Sequence, residues 1–169
     1  QCLENRLYVD QDVLKKGFVE ADVTNNRDSV WVFDTRMFHD PDSWHLCRHV
    51  GTNGDIVADI VKHRRFPRFL DSLFFAWQQM LQWLRRGTRI RIVFYCKSGR
   101  HRSVATALIA AHLFEATVGL PMPRSTVHLC AYWWSQLCTQ NCPECTQQSP
   151  TRDDALHRAR EMWGELFAR

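Results

Sequence analysis

No stretch of this chain reaches the ~18 consecutive apolar residues of a bilayer-spanning helix, and no signal-peptide pattern opens it. A membrane is therefore absent from the expected partners. Internal repeats and low-complexity linkers are missing as well, so residues 1–169 are expected to form one domain. A Gly-x4-Gly-Lys-Ser/Thr loop is lacking, which withdraws support for nucleoside triphosphate hydrolysis. One region also has almost no acid. Residues 62–102 hold eleven Lys or Arg against Asp71 alone, whereas the remainder holds eleven basic and seventeen acidic residues. The net charge of +4 hides that asymmetry, and clustered cations focus positive potential where a phosphate-rich partner such as RNA can approach.

What is present suits a folded protein. Apolar residues make up 45% and charged residues 24%, ordinary values for a globular chain, and seven Trp and ten Phe supply large core side chains. Residues 1–28 are poorly patterned, with a short helix expected over Asp10–Phe18. Val30-Trp31-Val32-Phe33 reads as a buried strand ending at Asp34, and residues 34–54 as a long structured loop, a kind of segment that often carries function. Ile56, Val57, Ile60 and Val61 recur at helical spacing. Leu70, Leu73, Phe74, Trp77, Met80, Leu81 and Leu84 then draw a full helical stripe that Gly87 stops. Arg89–Tyr95 has the apolar run of a buried parallel strand, and Val104–Phe114 that of a helix packed on it. A further strand is expected over Ser125–Cys130. Ser149-Pro150-Thr151, with Asp153 and Asp154 behind it, signals the start of a helix running to about Phe167. Strands alternating with helices predict a layered α/β fold, a small, mostly parallel sheet flanked by helices.

The junction between the expected strand at 89–95 and the helix after it is Cys96-Lys97-Ser98-Gly99-Arg100-His101-Arg102-Ser103. A strand turning tightly into a helix offers unpaired N–H groups and the positive end of the helix dipole, the two things an oxyanion needs. Gly99 permits close backbone approach, Arg102 can fork onto two phosphate oxygens, and Ser103 can cap the helix or donate its hydroxyl. Lys97, Arg100 and His101 add cations or donors. All eight residues are expected to bind phosphate.

Seven Cys is an odd count, and four of them crowd into residues 130–145. That favours a metal site in a reducing, intracellular and cytoplasmic setting over a secreted disulfide framework. Cys138-x3-Cys142-Pro-Glu-Cys145 has the short spacings that wrap one Zn²⁺ in a tetrahedron. Cys130 is the expected fourth ligand, with His128 and His157 as substitutes, and the ion's role is structural, pinning residues 125–169 onto a core at 30–118. Of the eight His, His101 is the one placed at the anion site. His39, His45, His49, His63 and His112 are read as surface or satisfied interior groups. Trp31, Trp133 and Trp134 offer rings for base stacking, although core packing is the commoner use of each.

Two families share the loop's layout. Cys96, Gly99, Arg102 and Ser103 fit the Cys-x2-Gly-x2-Arg-Ser/Thr signature of cysteine-dependent phosphatases. There Cys96 is the thiolate nucleophile, Arg102 holds the phosphate and Asp40 or Asp42 supplies the general acid. The second resemblance is longer. Val32-Phe33-Asp34-Thr35-Arg36, Asp40-Pro41, Arg48, Gly51, Asp55 and then Val93 through Val104 follow, in order and spacing, the C-terminal domain of the RapZ family of RNase adapters. What this resemblance implies is a non-catalytic α/β domain that binds a phosphorylated sugar or similar anion and contacts RNA. By position, His101, Arg102 and Ser103 hold the phosphate, and Asp34, Arg36 and Asp55 line the same pocket. A phosphorylated small molecule, RNA and other proteins are the partners that follow.

Overall fold

The run Val30–Phe33 forms the middle of β2 (Asp28–Asp34), and Trp31, Val32 and Phe33 are all buried. Successive strand residues face opposite sides of a sheet, so burial of three in a row means that both faces of β2 are covered. The computed structural model describes residues 18–22, 28–40, 45–85, 87, 89–119, 138, 142–146 and 149–169. Among these, β2 lies between β1 (Phe18–Asp22), with which it pairs antiparallel, and β3 (Arg89–Tyr95), with which it pairs parallel. The register sets Val32 opposite Val93 and Asp34 opposite Tyr95, so β2 and β3 end side by side. Thr35 locks that end: its amide and its hydroxyl both donate to the Tyr95 carbonyl, at 3.0 and 2.7 Å.

Two helices fill the crossover from β2 to β3. The first, α1 (Gly54–Lys62), starts on Asn53, whose side chain accepts from the Asp55 amide. The second, α2 (Phe66–Arg85), buries Phe66, Phe69, Leu70, Leu73, Ala76, Trp77 and Met80 on one face. Gly87 follows at φ 74°, the left-handed position that ends helices cheaply only when glycine holds it. Two expectations need correction. Leu84, the last residue of the stripe, is 46% exposed because the helix has run past the core. β3 is half-buried rather than buried, with Arg89 and Arg91 outside, since among the described residues it is an edge strand with β2 on one side only.

After β3 comes α3 (Arg102–Val118), closed by Gly119 at φ 68°. A single turn, α4 (Pro143–Thr146), precedes α5 (Pro150–Phe167). The start of α5 matches the Ser149-Pro150 signal, with the Ser149 side chain accepting from the Arg152 amide. α5 packs on α1, α2 and α3. It contributes Ala155, Ala159 and Trp163 to the same core as Trp31, Phe33, Leu73 and Ile109. Trp77 stacks on Phe114 at 4.5 Å, and Trp163 meets Phe114 edge-on while its Nε1–H donates to Thr117 Oγ1 at 2.9 Å. The C-terminal helix is thus held by apolar packing worth about 2–3 kcal/mol for a buried Trp.

The fold is α/β, with a small three-stranded sheet that is parallel across β2 and β3. The β1 strand was not anticipated: Phe18 opens it, where a helix end was expected. The rest of that expected helix (Asp10 onward), the strand expected over Ser125–Cys130, and Asp42, His128, Cys130, Trp133 and Trp134 lie outside the described residues. Trp31 is core and offers no ring for stacking.

Candidate functional site

Beyond Tyr95 the chain passes through Cys96 and a short loop before α3 begins at Arg102. Gly99, at φ 65°, makes the turn possible. Of the eight loop residues, Lys97 and Ser98 are exposed and Gly99 and Arg100 half-buried, while Cys96, His101, Arg102 and Ser103 are buried. For polar groups that is unusual, and each has a reason. Cys96 Sγ lies 3.3 Å from Ser103 Oγ. Burial pushes its thiol up, but the Ser103 hydroxyl and amide, the Gly99 amide and the Arg102 charge together hold it below the ordinary thiol range. His101 is 3% exposed. Its Nε2 accepts from Arg100 Nε at 3.0 Å and its Nδ1 faces Asp40 Oδ1 at 3.4 Å. Burial and then the Arg100 charge hold it below the usual imidazole range, against the pull of Asp40.

Arg102 is the most instructive. Only 7% exposed, it donates from one terminal nitrogen to the Phe38 carbonyl at 3.1 Å and from the other to Asp40 Oδ2 at 3.2 Å. Its Nε is buried with no hydrogen-bond partner. A buried donor left unpaired costs about 1–3 kcal/mol, more when charged. The first turn of α3 lies at the same place: its N-cap, His101, gives no side-chain hydrogen bond, and the Ser103 amide there turns to the Cys96 sulfur.

Asp40, sixty-two residues upstream of Arg102, is brought onto the loop by that ion pair. Asp34 and Arg36 form a fork at the ends of the parallel strands. Arg36 Nε lies 3.0 and 3.1 Å from the two Asp34 oxygens, and Arg36 also reaches Tyr95 Oη at 3.1 Å. Burial raises the Asp34 carboxyl, yet the Arg36 hydrogen bonds outweigh it and leave the group below the usual range. Tyr95 is pushed up to about 12 by burial and by Asp34. Asp55 stands exposed in the first turn of α1.

A second cluster lies beside the loop. His49, Cys138, Cys142 and Cys145 offer one donor atom each, all within 4.8 Å of one another. Cys138 Sγ is 3.2 Å from Cys142 Sγ, and His49 Nδ1 is 3.3 Å from Cys142 Sγ and 3.6 Å from Cys145 Sγ. A tetrahedral Zn²⁺ with bonds of about 2.1–2.3 Å has edges of roughly 3.5–3.8 Å. The four residues can hold a metal ion. His49 is a correction to the sequence reading, which left it without a role. It arrives from the 34–54 loop, 93 residues from Cys142, and no local spacing announces it. His157 points elsewhere, with a side chain 74% exposed and 3.4 Å from Glu161. Burial first, then the Cys142 and Cys138 thiols, push Cys145 up to about 12. Sulfurs this close ionise together only when a cation offsets them.

The architecture defines an α/β domain whose parallel strand runs through a glycine turn into the N-terminus of a long helix. The chain belongs to the RapZ C-terminal domain family, whose pattern matches residues 17–124, and so falls among regulatory adapters. Searches of curated proteins and of solved structures gave no match. The matched stretch includes all three strands, the loop and His49, but ends before Cys138, Cys142, Cys145 and α5. No helix among the described residues is long and apolar enough to cross a membrane.

Proposed function

We propose that this domain binds a phosphorylated ligand (a phosphosugar, a nucleotide or an RNA phosphate) at residues 96–103 without turning it over, as the anion-sensing part of an intracellular adapter. The observation that carries the reading is the buried, unpartnered Nε of Arg102 in the first turn of α3. Ser103 and the loop amides would share the phosphate. Asp34, Arg36 and Asp55 would meet the rest of the ligand, beyond the ends of β2 and β3, where open α/β sheets commonly bind. RNA is the proposed macromolecular partner. Lys62, Arg64, Arg65, Arg68, Arg85 and Lys97 are exposed and belong to the acid-poor stretch. Residues 1–169 are read as one domain in which Zn²⁺, held by His49, Cys138, Cys142 and Cys145, has a structural role.

Thermal-shift titration with inorganic phosphate and phosphosugars tests the reading. Wild type should gain stability as ligand saturates, and Arg102→Ala should need roughly 10- to 100-fold more ligand for the same gain. An equal response from both proteins would refute it. RNA binding should weaken steeply between 50 and 200 mM salt. Binding indifferent to salt would remove RNA from the proposal.

A second reading is supported by the position of the Cys96 thiol below its ordinary range and by Asp40 facing Arg102. In it the Cys96 sulfur attacks phosphorus. The bond to the leaving oxygen breaks as Asp40, protonated and released from Arg102, gives that oxygen its proton; Asp40 then takes a proton from the water whose oxygen adds to phosphorus and frees the thiolate. This reading requires hydrolysis of an aryl phosphate that Cys96→Ser abolishes, whereas the binder keeps its ligand in the same variant.

A further inference from the structure

We propose that the metal cluster sets the affinity of the anion loop: with the ion bound, residues 47–51 are held as a brace against the loop, and without it the brace relaxes. The inference rests on the reading of His49, Cys138, Cys142 and Cys145 as a zinc site and of residues 96–103 as an anion site.

Residues 47–51 touch both sites, through the backbone of Cys47, Arg48 and Gly51 and the side chains of His49 and Val50. Toward the loop, the Cys47 carbonyl accepts from Arg100 at 2.6 Å and the Gly51 amide donates to the Arg100 carbonyl at 2.9 Å. Gly51 sits so close to the first turn of α3 that a Cβ on it would fall 2.1 Å from the His101 oxygen and 2.4 Å from the Ala105 nitrogen. Toward the cluster, the Arg48 carbonyl accepts from the Cys138 amide at 3.2 Å, and His49 presents Nδ1 to the sulfurs. Val50 is fully buried between the sites, in one apolar group with Val104 of α3 and Cys145. A five-residue strap therefore has a donor of the metal set at its centre and hydrogen bonds to the anion loop at both ends.

The orientation of His49 fits ligation. Its Nε2 lies 2.8 Å from Glu144 Oε2, in the single turn that also carries Cys145. A carboxylate on the far nitrogen of an imidazole is the usual outer partner of a metal-bound histidine, because it fixes the tautomer and leaves the other nitrogen free to ligate. Nothing in anion binding at residues 96–103 calls for that arrangement, so Glu144 is an observation independent of the loop. Three of the four donors come from beyond the family-matched stretch and the fourth from within it. The ion would thus tie a segment beyond the family pattern onto a loop that the pattern covers.

The physical consequence is preorganisation. A loop whose amides and Arg102 are already placed loses less entropy when the anion arrives. Freeing His49 returns several backbone torsions to the strap, and the Arg100 and His101 backbone loses its support. Coupling of this kind is reciprocal, so phosphate must tighten zinc by the factor with which zinc tightens phosphate.

The test uses the full chain. Elemental analysis of purified protein should give one zinc per chain. Inorganic phosphate is then titrated calorimetrically into zinc-loaded protein, chelator-treated protein and protein reloaded with zinc. The expected result is a roughly 10-fold or greater loss of phosphate affinity on chelation, in the range typical of coupling between two sites, with recovery on reloading. Should the chelated protein unfold, zinc affinity of folded protein is measured by chelator competition with and without saturating phosphate. Zinc should bind more tightly with phosphate in wild type and not in Arg102→Ala. Gly51→Ala should keep its zinc and lose phosphate affinity. Protein that binds phosphate equally with and without zinc, or zinc affinity indifferent to phosphate, overturns the coupling while leaving both sites standing. Protein without zinc overturns the metal reading, and zinc-loaded protein that ignores phosphate overturns the loop reading, and the coupling goes with either.

Discussion

The anion loop and the thiol cluster are neighbours built in opposite ways. The loop is contiguous: eight residues between β3 and α3, placed by a strand end, a positive-φ glycine and a helix start. The cluster is assembled across 96 residues, from a turn in the early loop and three cysteines near the C-terminus. One gathers donors and positive charge, the other sulfurs that ionise only beside a cation. The contrast teaches that local sequence can encode a site made of backbone geometry, whereas a site made of convergent side chains waits on the tertiary fold.

The comparison breaks first if the C-terminal segment depends on the metal for its attachment rather than on packing. Trp163→Ala removes a buried ring from the joint core of α3 and α5 and should cost about 3–5 kcal/mol of unfolding free energy, measured in urea, with zinc still bound. A loss below about 1 kcal/mol would mean that the cluster, not the core, retains α5.

The next effect separates the two sites. Arg102→Ala deletes a charged, forked donor, and phosphate affinity should fall roughly 10- to 100-fold in a calorimetric titration while zinc content stays at wild-type level. His49→Ala should weaken zinc on the same order and, through the strap, lower phosphate affinity with it. Loss of zinc from Arg102→Ala would show that the sites are not separable.

The smallest effect concerns Cys96. Its thiol is held below the ordinary range, so its rate of alkylation by iodoacetamide should reach half-maximum at a lower pH than that of an ordinary exposed thiol in the same assay. The sign follows from thiolate being the reactive form: reactivity is present above the folded-state pKa and lost as pH falls through it. Ser103→Ala removes a hydroxyl that favours the thiolate, so the midpoint should move up. A midpoint unchanged in the variant would take Ser103 out of the explanation.

Legibility followed the same division. Val30–Phe33 named β2, the stripe from Leu70 to Met80 named α2, and Ser149-Pro150 named the start of α5, because each signal is local and the core agreed with it. β1 escaped because five residues ending in Asp22 have little pattern of their own and become a strand by pairing with β2. β3 was read as buried from its composition, but which side of a strand lies at a sheet edge is a tertiary fact. His49 had no cysteine nearby in sequence to mark it, and the ion pair of Asp40 with Arg102 likewise spans most of the crossover. Sequence alone offered Asp40 only as one of two candidate acids, and its contact with the loop needed the fold.

Crystals soaked in tungstate, a heavy stand-in for phosphate, give the most direct test of the central claim. The account predicts one strong anomalous peak at the N-terminus of α3, within hydrogen-bond reach of Arg102 Nε and the loop amides. An empty loop at saturating tungstate, or a peak only on the exposed arginines, would contradict it.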